Sequence, residues 1–247
     1  MKKLLIIPML FLGSILFAQS IEGAWKLTHQ NGQEITNAEY IKLIQDGYFA
    51  FGAKLMDGDK FLGAGGGDIK IEGNQYIETL DFYTLDPESV GTTVSYGFEL
   101  KDDQLLLSKT IDGQPVQEVW RKIGTRNDAL TANWVFTGRK SEGEIRRSTP
   151  GDRRTVKILT GGRFQWIAFN SATKEFMGTG GGTYAAENGK YIESITFFSR
   201  DDSRVGASLS FDFEVIDNEW HHSGLSSTGN PIYEIWSKYR DAYTPSK

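Results

Sequence analysis

The chain has 247 residues and a formal net charge of -5 at pH 7, and this mildly acidic balance gives no reason to expect nucleic acid as a partner. It contains no cysteine, which excludes disulfides, thiolate metal sites and a cysteine nucleophile. Aromatic residues make up 13% of the chain, and its 28 glycines stand against 6 prolines, a profile that is typical of a β-rich globular protein with many turns.

The N-terminus predicts a secretory signal peptide over residues 1–20. Two lysines precede an apolar stretch over residues 4–17, which is short for a membrane span, and Ala18 or Ser20 offers a small residue for cleavage. We therefore expect an exported bacterial protein, secreted or periplasmic, with no membrane span in the mature chain. An uncleaved N-terminal anchor is the alternative interpretation.

The remainder of the sequence is an internal duplication. Residues 43–105 align without a gap on residues 158–220, and the aligned glycines and aromatic residues recur in the same order. The repeated unit has the size of a domain, which excludes a solenoid repeat. The duplication predicts one domain over residues 21–123 and a second over residues 131–240, joined by a polar linker.

Each unit predicts about eight short strands separated by turn signals. In VSYGFEL at 94–100, apolar side chains alternate with polar or small ones, which is the period of a strand with one buried face. The strand that contains Phe49 and Phe51 shows the same alternation. The segment NAEYIKLIQ at 37–45 comes nearest to a helical period, and we predict it as a strand.

Three consecutive glycines lie at the start of a strand in each copy, Gly65–Gly67 and Gly180–Gly182. Because glycine weakens the interior of a strand, we predict that these residues let a strongly coiled strand turn the corner of a small closed barrel. A backbone nest for an anion such as phosphate is the alternative. The glycines precede a strand rather than a helix, and the Lys-Ser/Thr of a phosphate-binding loop is missing.

GAW at 23–25, the glycine-rich strand with its Y-I-E sequence, and the closing pattern E-x-W-x-K resemble lipocalins and other calycins. The pattern is most similar to the small lipocalin-like domains of secreted bacterial proteins of unassigned function, and it covers nearly all of residues 21–240 as two copies. The resemblance implies an all-β fold of two tandem eight-stranded antiparallel barrels. In that fold each barrel encloses a pocket for one small, often apolar, ligand.

The resemblance also implies a structural motif, in which a tryptophan from the first strand packs under a basic residue from the last strand. The residues that match this motif are Gly23, Trp25 and Lys122 or Arg121 in the first unit, and Trp134 and Lys238 in the second. The second copy lacks the glycine that precedes the tryptophan.

Each unit also repeats a carboxylate among apolar residues. In the strand at 76–83, Glu78 shares its predicted face with Tyr76 and Phe82, and the strand at 191–198 repeats this arrangement. We interpret such carboxylates as polar contacts in an apolar pocket, with a structural ion pair to the closing lysine, or a place at the barrel rim, as the alternatives. The candidate ligand-binding residues are Phe49, Phe51, Tyr76, Glu78, Glu118, Phe164, Trp166, Tyr191, Glu193 and Glu234.

The sequence carries little signal for metals or catalysis. His221 and His222 are neighbours, so that on a strand their rings point to opposite faces and do not share a metal; a single histidine as a haem ligand is the alternative. We expect no metal site, no cofactor and no catalytic residue. The basic stretch RRSTPGDRR at 146–154 predicts a solvated loop, or alternatively a rim contact for an acidic partner.

The function predicted from the sequence is binding of a small apolar or amphipathic molecule in one or both barrels, without catalysis. The first alternative is an interaction module for a protein or a glycan, with filled barrels. The second is a hydrolase that uses a carboxylate in the pocket, although no particular acid and base pair stands out.

Overall fold

The computed structural model describes residues 20–226 and 228–244, so the predicted signal peptide lies outside the described residues apart from its last position. Strands make up most of the described chain, and they form two closed antiparallel barrels in tandem. The predicted fold class is therefore confirmed. No helix within the described part of the chain is long and apolar enough to cross a membrane.

The first barrel, called barrel 1, closes because its first strand pairs with its last. Its strands are β1 (Gly23–Gln30), β2 (Gln33–Glu34), β3 (Ala38–Gln45), β4 (Tyr48–Leu55), β5 (Phe61–Glu72), β6 (Gln75–Tyr83), β7 (Thr93–Lys101), β8 (Gln104–Ile111) and β9 (Gln114–Gly124). The short β2 extends the end of β1 and lies outside the ring of eight. The segment at 37–45 is a strand, β3, as the sequence predicts.

The second barrel, called barrel 2, repeats this order and closes in the same way. Its strands are β10 (Ala132–Ser141), β11 (Glu144–Arg147), β12 (Arg153–Thr160), β13 (Arg163–Asn170), β14 (Glu175–Glu187), β15 (Lys190–Phe198), β16 (Ser208–Ile216), β17 (Glu219–Leu225) and β18 (Pro231–Lys238). The last strand continues into a single helical turn, α1 (Tyr239–Ala242). Short 3₁₀ turns at Pro87–Ser89 and Asp202–Arg204 follow β6 and β15.

The glycine runs lie in the interior of β5 and β14 rather than at the start of a strand as predicted, and they pair with β6 and β15. A Cβ atom on Gly67 would lie 1.9 Å from the carbonyl oxygen of Thr79, so the two strands approach more closely than any side chain allows. Gly67 pairs with Leu80 and Gly66 with Phe82, which leaves Asp81 as a β-bulge. This geometry agrees with the predicted role of the glycines in turning the strand.

The bulge corrects one prediction from the sequence. Because one residue is inserted, Phe82 no longer shares the face of Glu78 but packs on the outside of barrel 1, and Tyr83 points inward instead. The copy in barrel 2 repeats the shift, since Gly181 pairs with Phe197 and Gly182 with Ile195.

Each barrel has an apolar interior of its own. In β7 the predicted alternation is confirmed, because Val94, Tyr96, Phe98 and Leu100 all pack toward the interior of barrel 1. The interior of barrel 2 is built around large aromatic side chains, namely Trp134, Phe164, Tyr184, Tyr191, Phe211, Trp220 and Trp236.

A third apolar cluster lies between the two barrels. Its contacts have an approximate twofold symmetry, because equivalent residues of the two units meet across it. Phe61 stacks on Phe176, the same position in the other unit, with ring centroids 6.5 Å apart and 2° between the ring planes. The contact of Phe61 with Phe197 at 6.3 Å is matched by that of Phe176 with Phe82 at 6.4 Å. Strand β3 likewise packs against its own copy, β12.

The C-terminal turn of barrel 2 is anchored on barrel 1. The Tyr239 ring packs on Tyr48 with centroids 5.0 Å apart. The Arg240 guanidinium donates a hydrogen bond to the carbonyl oxygen of Gly47 at 2.6 Å and forms an ion pair with Asp68 at 2.8 Å. The two barrels are therefore joined by polar contacts as well as by the apolar cluster.

The bulged Asp81 is the polar centre of this interface. Its carboxylate forms an ion pair with Arg154 at 2.6 Å and accepts hydrogen bonds from the hydroxyls of Tyr48 and Tyr239. The Arg154 side chain is fully buried, and its guanidinium lies 4.5 Å from the Phe169 ring centroid. Arg154 thus departs from the solvated loop predicted at 146–154, because the opposite barrel supplies a partly buried carboxylate for it.

Candidate functional site

Barrel 1 contains a cavity of about 730 Å³ that opens at one end of the barrel. Its outer part is lined by Ile35 and by the exposed side chains of Leu85 and Ile111, which are 56% and 46% accessible. Its inner part reaches the buried Lys42 and Glu78. The exposed Gln30, Asn37 and Asp86 also line it, so the cavity combines an entrance of mixed polarity with a charged interior wall.

Lys42 and Glu78 form a buried ion pair, with 2.8 Å between Nζ and Oε1 and each side chain only 5% exposed. The Lys42 Nζ also lies 4.8 Å from the Trp120 ring centroid and 5.3 Å from that of Phe49. Burial, followed by the charge of Glu78, raises the pKa of Tyr96 well above its usual value. Tyr96 therefore serves the site as a neutral hydroxyl.

Glu118 is the second carboxylate in the cavity wall, and it is less fully satisfied. Its Oε2 accepts one hydrogen bond from Trp120 Nε1 at 2.8 Å. No other hydrogen bond or ion pair to Glu118 is found among residues 20–226 and 228–244. On the neighbouring strand β8, Lys109 Nζ donates to the Tyr96 hydroxyl at 3.0 Å. Glu118 is thus an acceptor with free capacity that faces the cavity.

Barrel 2 has the same charged pair in a packed interior. Glu193 forms an ion pair with Lys157 and accepts a hydrogen bond from the Tyr191 hydroxyl at 2.7 Å. The Lys157 Nζ lies 5.2 Å from the Trp220 ring centroid. At the positions of Phe51 and Leu105 in barrel 1, barrel 2 carries the larger Trp166 and Trp220. Phe51 lines the cavity of barrel 1, and in barrel 2 the larger indole of Trp166 takes its place, while Trp220 is fully buried among aromatic side chains.

His222 gives barrel 2 a further internal contact. It pairs with Glu234 across β17 and β18, whereas Leu107 is the partner of Glu118 in barrel 1. The His222 Nδ1 lies 3.4 Å from the Glu234 carboxylate, which also accepts from Trp236 Nε1 at 3.1 Å. Burial lowers the pKa of His222.

The pKa of Glu234 reflects two opposed effects. Burial alone would raise it, but the hydrogen bond from His222 and the nearby positive charges outweigh burial and hold it below its usual value. Glu234 is therefore satisfied from within its own barrel. Its counterpart Glu118 lacks such a second donor among the described residues.

The structural motif implied by the resemblance is present as a stacked pair in each barrel. Lys122 Nζ lies 5.0 Å from the Trp25 ring centroid, and Lys238 Nζ lies 4.0 Å from that of Trp134. A Cβ atom on Gly23 would lie 2.8 Å from Lys122 Cε, so the glycine makes room for the lysine.

These stacked lysines correct the ion pairs considered from the sequence. The partner of Glu78 is Lys42 rather than Lys122, and the partner of Glu193 is Lys157 rather than Lys238. The closing lysines lie over the tryptophan rings, whereas β3 and β12 place their lysines inside the barrels.

The structure divides the candidate ligand-binding residues into two groups. Those that line the cavity of barrel 1 are Phe49, Phe51, Glu78 and Glu118. Tyr76 is fully buried in the core beside them. Those that belong to the packed interior of barrel 2 are Phe164, Trp166, Tyr191, Glu193 and Glu234.

Lys42 and Lys157 are functional candidates that the sequence interpretation missed. Both lie in strands with apolar residues on either side, where the alternation of one buried face is absent. A signal was nevertheless available, because the two lysines directly precede the aligned segments that begin at Leu43 and Ile158. A lysine retained in both copies of an apolar strand indicates a buried partner.

No protein-family model and no curated protein matches the chain. Several solved structures are similar to it, among them the following three. An uncharacterized protein from Bacteroides eggerthii has 17% identity and a TM-score of 0.31 over 41% of this chain and 98% of that one. An uncharacterized protein from Saccharomyces cerevisiae has 11% identity and a TM-score of 0.45 over 86% of this chain and 97% of that one.

The third structure is transferrin binding protein B from Haemophilus parasuis, with 9% identity and a TM-score of 0.22 over 83% of this chain and 60% of that one. At such low identities and TM-scores, these likenesses say nothing of function, which has to be argued from the geometry of the barrels.

Proposed function

We propose that this chain binds a small amphipathic molecule in the cavity of barrel 1 and carries it without catalysing a reaction. The observation that carries the proposal is the cavity of about 730 Å³ that extends from an entrance containing Ile35, Leu85 and Ile111 to the buried Lys42–Glu78 pair. Pockets for small molecules hold roughly 300–1,000 Å³ and combine apolar walls with a few polar groups. The resemblance to lipocalin-like domains favours the same role.

The polar end of the ligand is a hydrogen-bond donor, such as an amine or a hydroxyl. Barrel 2 supports this assignment, because there the position across from Glu234 holds His222, a donor from the protein itself. In barrel 1 the same position holds Leu107, and Glu118 faces the cavity with free acceptor capacity. A bound donor would give Glu118 the contact that Glu234 already has.

The apolar end of the ligand lies toward the entrance, where Ile35, Leu85 and Ile111 offer apolar contact. Removal of these side chains from water by the ligand stabilises the complex in proportion to the area covered. Export through the predicted signal peptide would place this carrier in the periplasm or outside the cell.

The proposal is tested by calorimetric titration with dodecylamine as the probe. The affinity is measured for the wild type and for two variants that carry the same substitution at matched positions, one in each barrel. Glu118→Gln is expected to weaken dodecylamine binding by about tenfold, because a hydrogen bond to a charged group contributes about 1.5–3 kcal/mol. Glu234→Gln, the matched change in barrel 2, should leave the affinity unchanged.

A third variant, Leu27→Trp, places an indole in the cavity and should abolish binding. Undiminished affinity in Leu27→Trp, or equal losses in Glu118→Gln and Glu234→Gln, would place the probe elsewhere and refute the proposal. Native mass spectrometry of protein from its own host then identifies the natural ligand.

A further inference from the structure

The open end of barrel 2 is lined by arginines. A depression of about 570 Å³ lies there, with Phe136, Ala168 and Met177 among its apolar residues. Its arginines are Arg139, Arg146, Arg147, Arg153, Arg154 and Arg200. No aspartate or glutamate is among the residues that line it. Since the chain as a whole carries a net charge of -5, this positive charge is a local feature.

Three of the six arginines are neutralised by carboxylates. Arg154 is buried against Asp81, Arg147 makes two hydrogen bonds of 2.7 and 2.9 Å with Glu219, and Arg146 pairs with Glu142 in solvent. These contacts fix the wall of the depression. The other three arginines of the depression differ from these.

Arg139, Arg153 and Arg200 have no carboxylate partner among the described residues. Arg200 donates to the carbonyl oxygen of Met177, which orients its guanidinium and leaves its charge uncompensated. Three guanidinium groups around one depression create a strong positive potential. The hydroxyl-bearing Ser148 lies in the same wall.

Barrel 1 shows that the arginines are not required by the fold. In the strand register Gln30 stands opposite Glu118 as Arg139 stands opposite Glu234, without an ion pair, so the two residues hold equivalent positions. Leu85 likewise corresponds to Arg200, since each lies against the glycine that precedes the glycine run of its own barrel. At these two positions the same end therefore carries uncharged side chains in barrel 1 and arginines in barrel 2.

We propose that the open end of barrel 2 binds the oxyanion of a phosphate or sulfate monoester on a small molecule. The planar guanidinium matches two oxygens of such a group at once, and several arginines together suit its tetrahedral charge. The apolar residues of the depression contact the organic part of the ester. This site is separate from the cavity of barrel 1 and acts on a ligand of the opposite character.

The test uses p-nitrophenyl phosphate and p-nitrophenyl sulfate as probes, with p-nitrophenol as the uncharged control, in calorimetric titrations of the full chain. The charged probes should bind at least tenfold more tightly than p-nitrophenol, with an affinity that falls as salt rises. The variant Arg139→Gln/Arg153→Gln should lose about tenfold in affinity for the charged probes. Arg121→Gln, an exposed arginine of barrel 1, should lose none.

The two arginines changed are exposed, so urea unfolding of the variant should match the wild type and show that the fold is intact. Equal affinities of the phosphate ester and p-nitrophenol, or full affinity in Arg139→Gln/Arg153→Gln, would overturn the proposal. Preference for phosphate over sulfate, or the reverse, identifies which ester the site takes. Dodecylamine binding should be unchanged in this variant, so the two sites are tested independently.

Discussion

The buried Lys42–Glu78 pair predicts a strongly non-additive response to mutation. Replacing Lys42 by Met leaves the Glu78 carboxylate with its side chain only 5% exposed and without its cation. Loss of one partner of a buried pair costs about 3–5 kcal/mol, because the remaining charge is uncompensated. The same cost is expected for Glu78→Leu, which leaves the ammonium group without its counter-ion.

The double variant Lys42→Met/Glu78→Leu removes both charges at once. Apolar replacement of a whole buried ion pair is often neutral or stabilising, so we expect the double variant to unfold within about 1 kcal/mol of the wild type. Urea unfolding followed by tryptophan fluorescence measures all four proteins, since Trp120 lies beside the pair. If the double variant instead loses the sum of the two single losses in free energy of unfolding, the pair does not act as one buried unit.

Two further predictions concern barrel 2. Burial holds the pKa of His222 below its unfolded value of 6.5, so the unfolded chain takes up the proton first as pH falls. The stability that is full above pH 6.5 is therefore lost as pH falls toward the folded pKa. The free energy of unfolding measured by urea titration should fall by up to about 1.4 kcal/mol per pH unit, and His222→Leu should remove this contribution. Gly182→Ala should cost about 1–3 kcal/mol or more, because its Cβ would meet a backbone oxygen at 1.9 Å, whereas Gly151→Ala, with open space around it, should change thermal stability little.

The sequence was sufficient for the architecture because its signals there are local or repeated. Alternation in β7 identified a strand with one buried face, and the glycine runs predicted a tightly coiled strand. The duplication supplied the number of barrels. Each of these inferences needs only residues that are close in the chain, or a comparison of the chain with itself.

The parts that could not be predicted depend on contacts between distant segments. The bulge at Asp81 places Phe82 and Tyr83 on the opposite faces from those that strict alternation predicts. No residue type in the strand indicates this bulge. Lys42 was missed because β3 is buried on both faces, one by its own barrel and the other by barrel 2. Arg154 looked solvated because its partner Asp81 lies in the other barrel.

The difference between the interiors of the two barrels could be predicted in part from the sequence. The alignment pairs Phe51 with Trp166 and Leu105 with Trp220, so it shows that the second unit has larger side chains at these positions. What the sequence could not supply was whether the surrounding backbone expanded to absorb it. In the structure the added Trp220 packs among aromatic side chains, with its ring centroid 5.7 Å from that of Trp134 and 5.9 Å from that of Trp236.

The stacking of Phe61 on Phe176 has a consequence for the origin of the chain. Two identical single barrels would meet across this surface in the same way, as a symmetric homodimer with each phenylalanine facing its equivalent. Fusion of two such subunits into one polypeptide fixes their stoichiometry. It also releases each half from the requirement that a substitution in one subunit appear in both, which allows one half to keep an open cavity while the other gathers arginines at the same end.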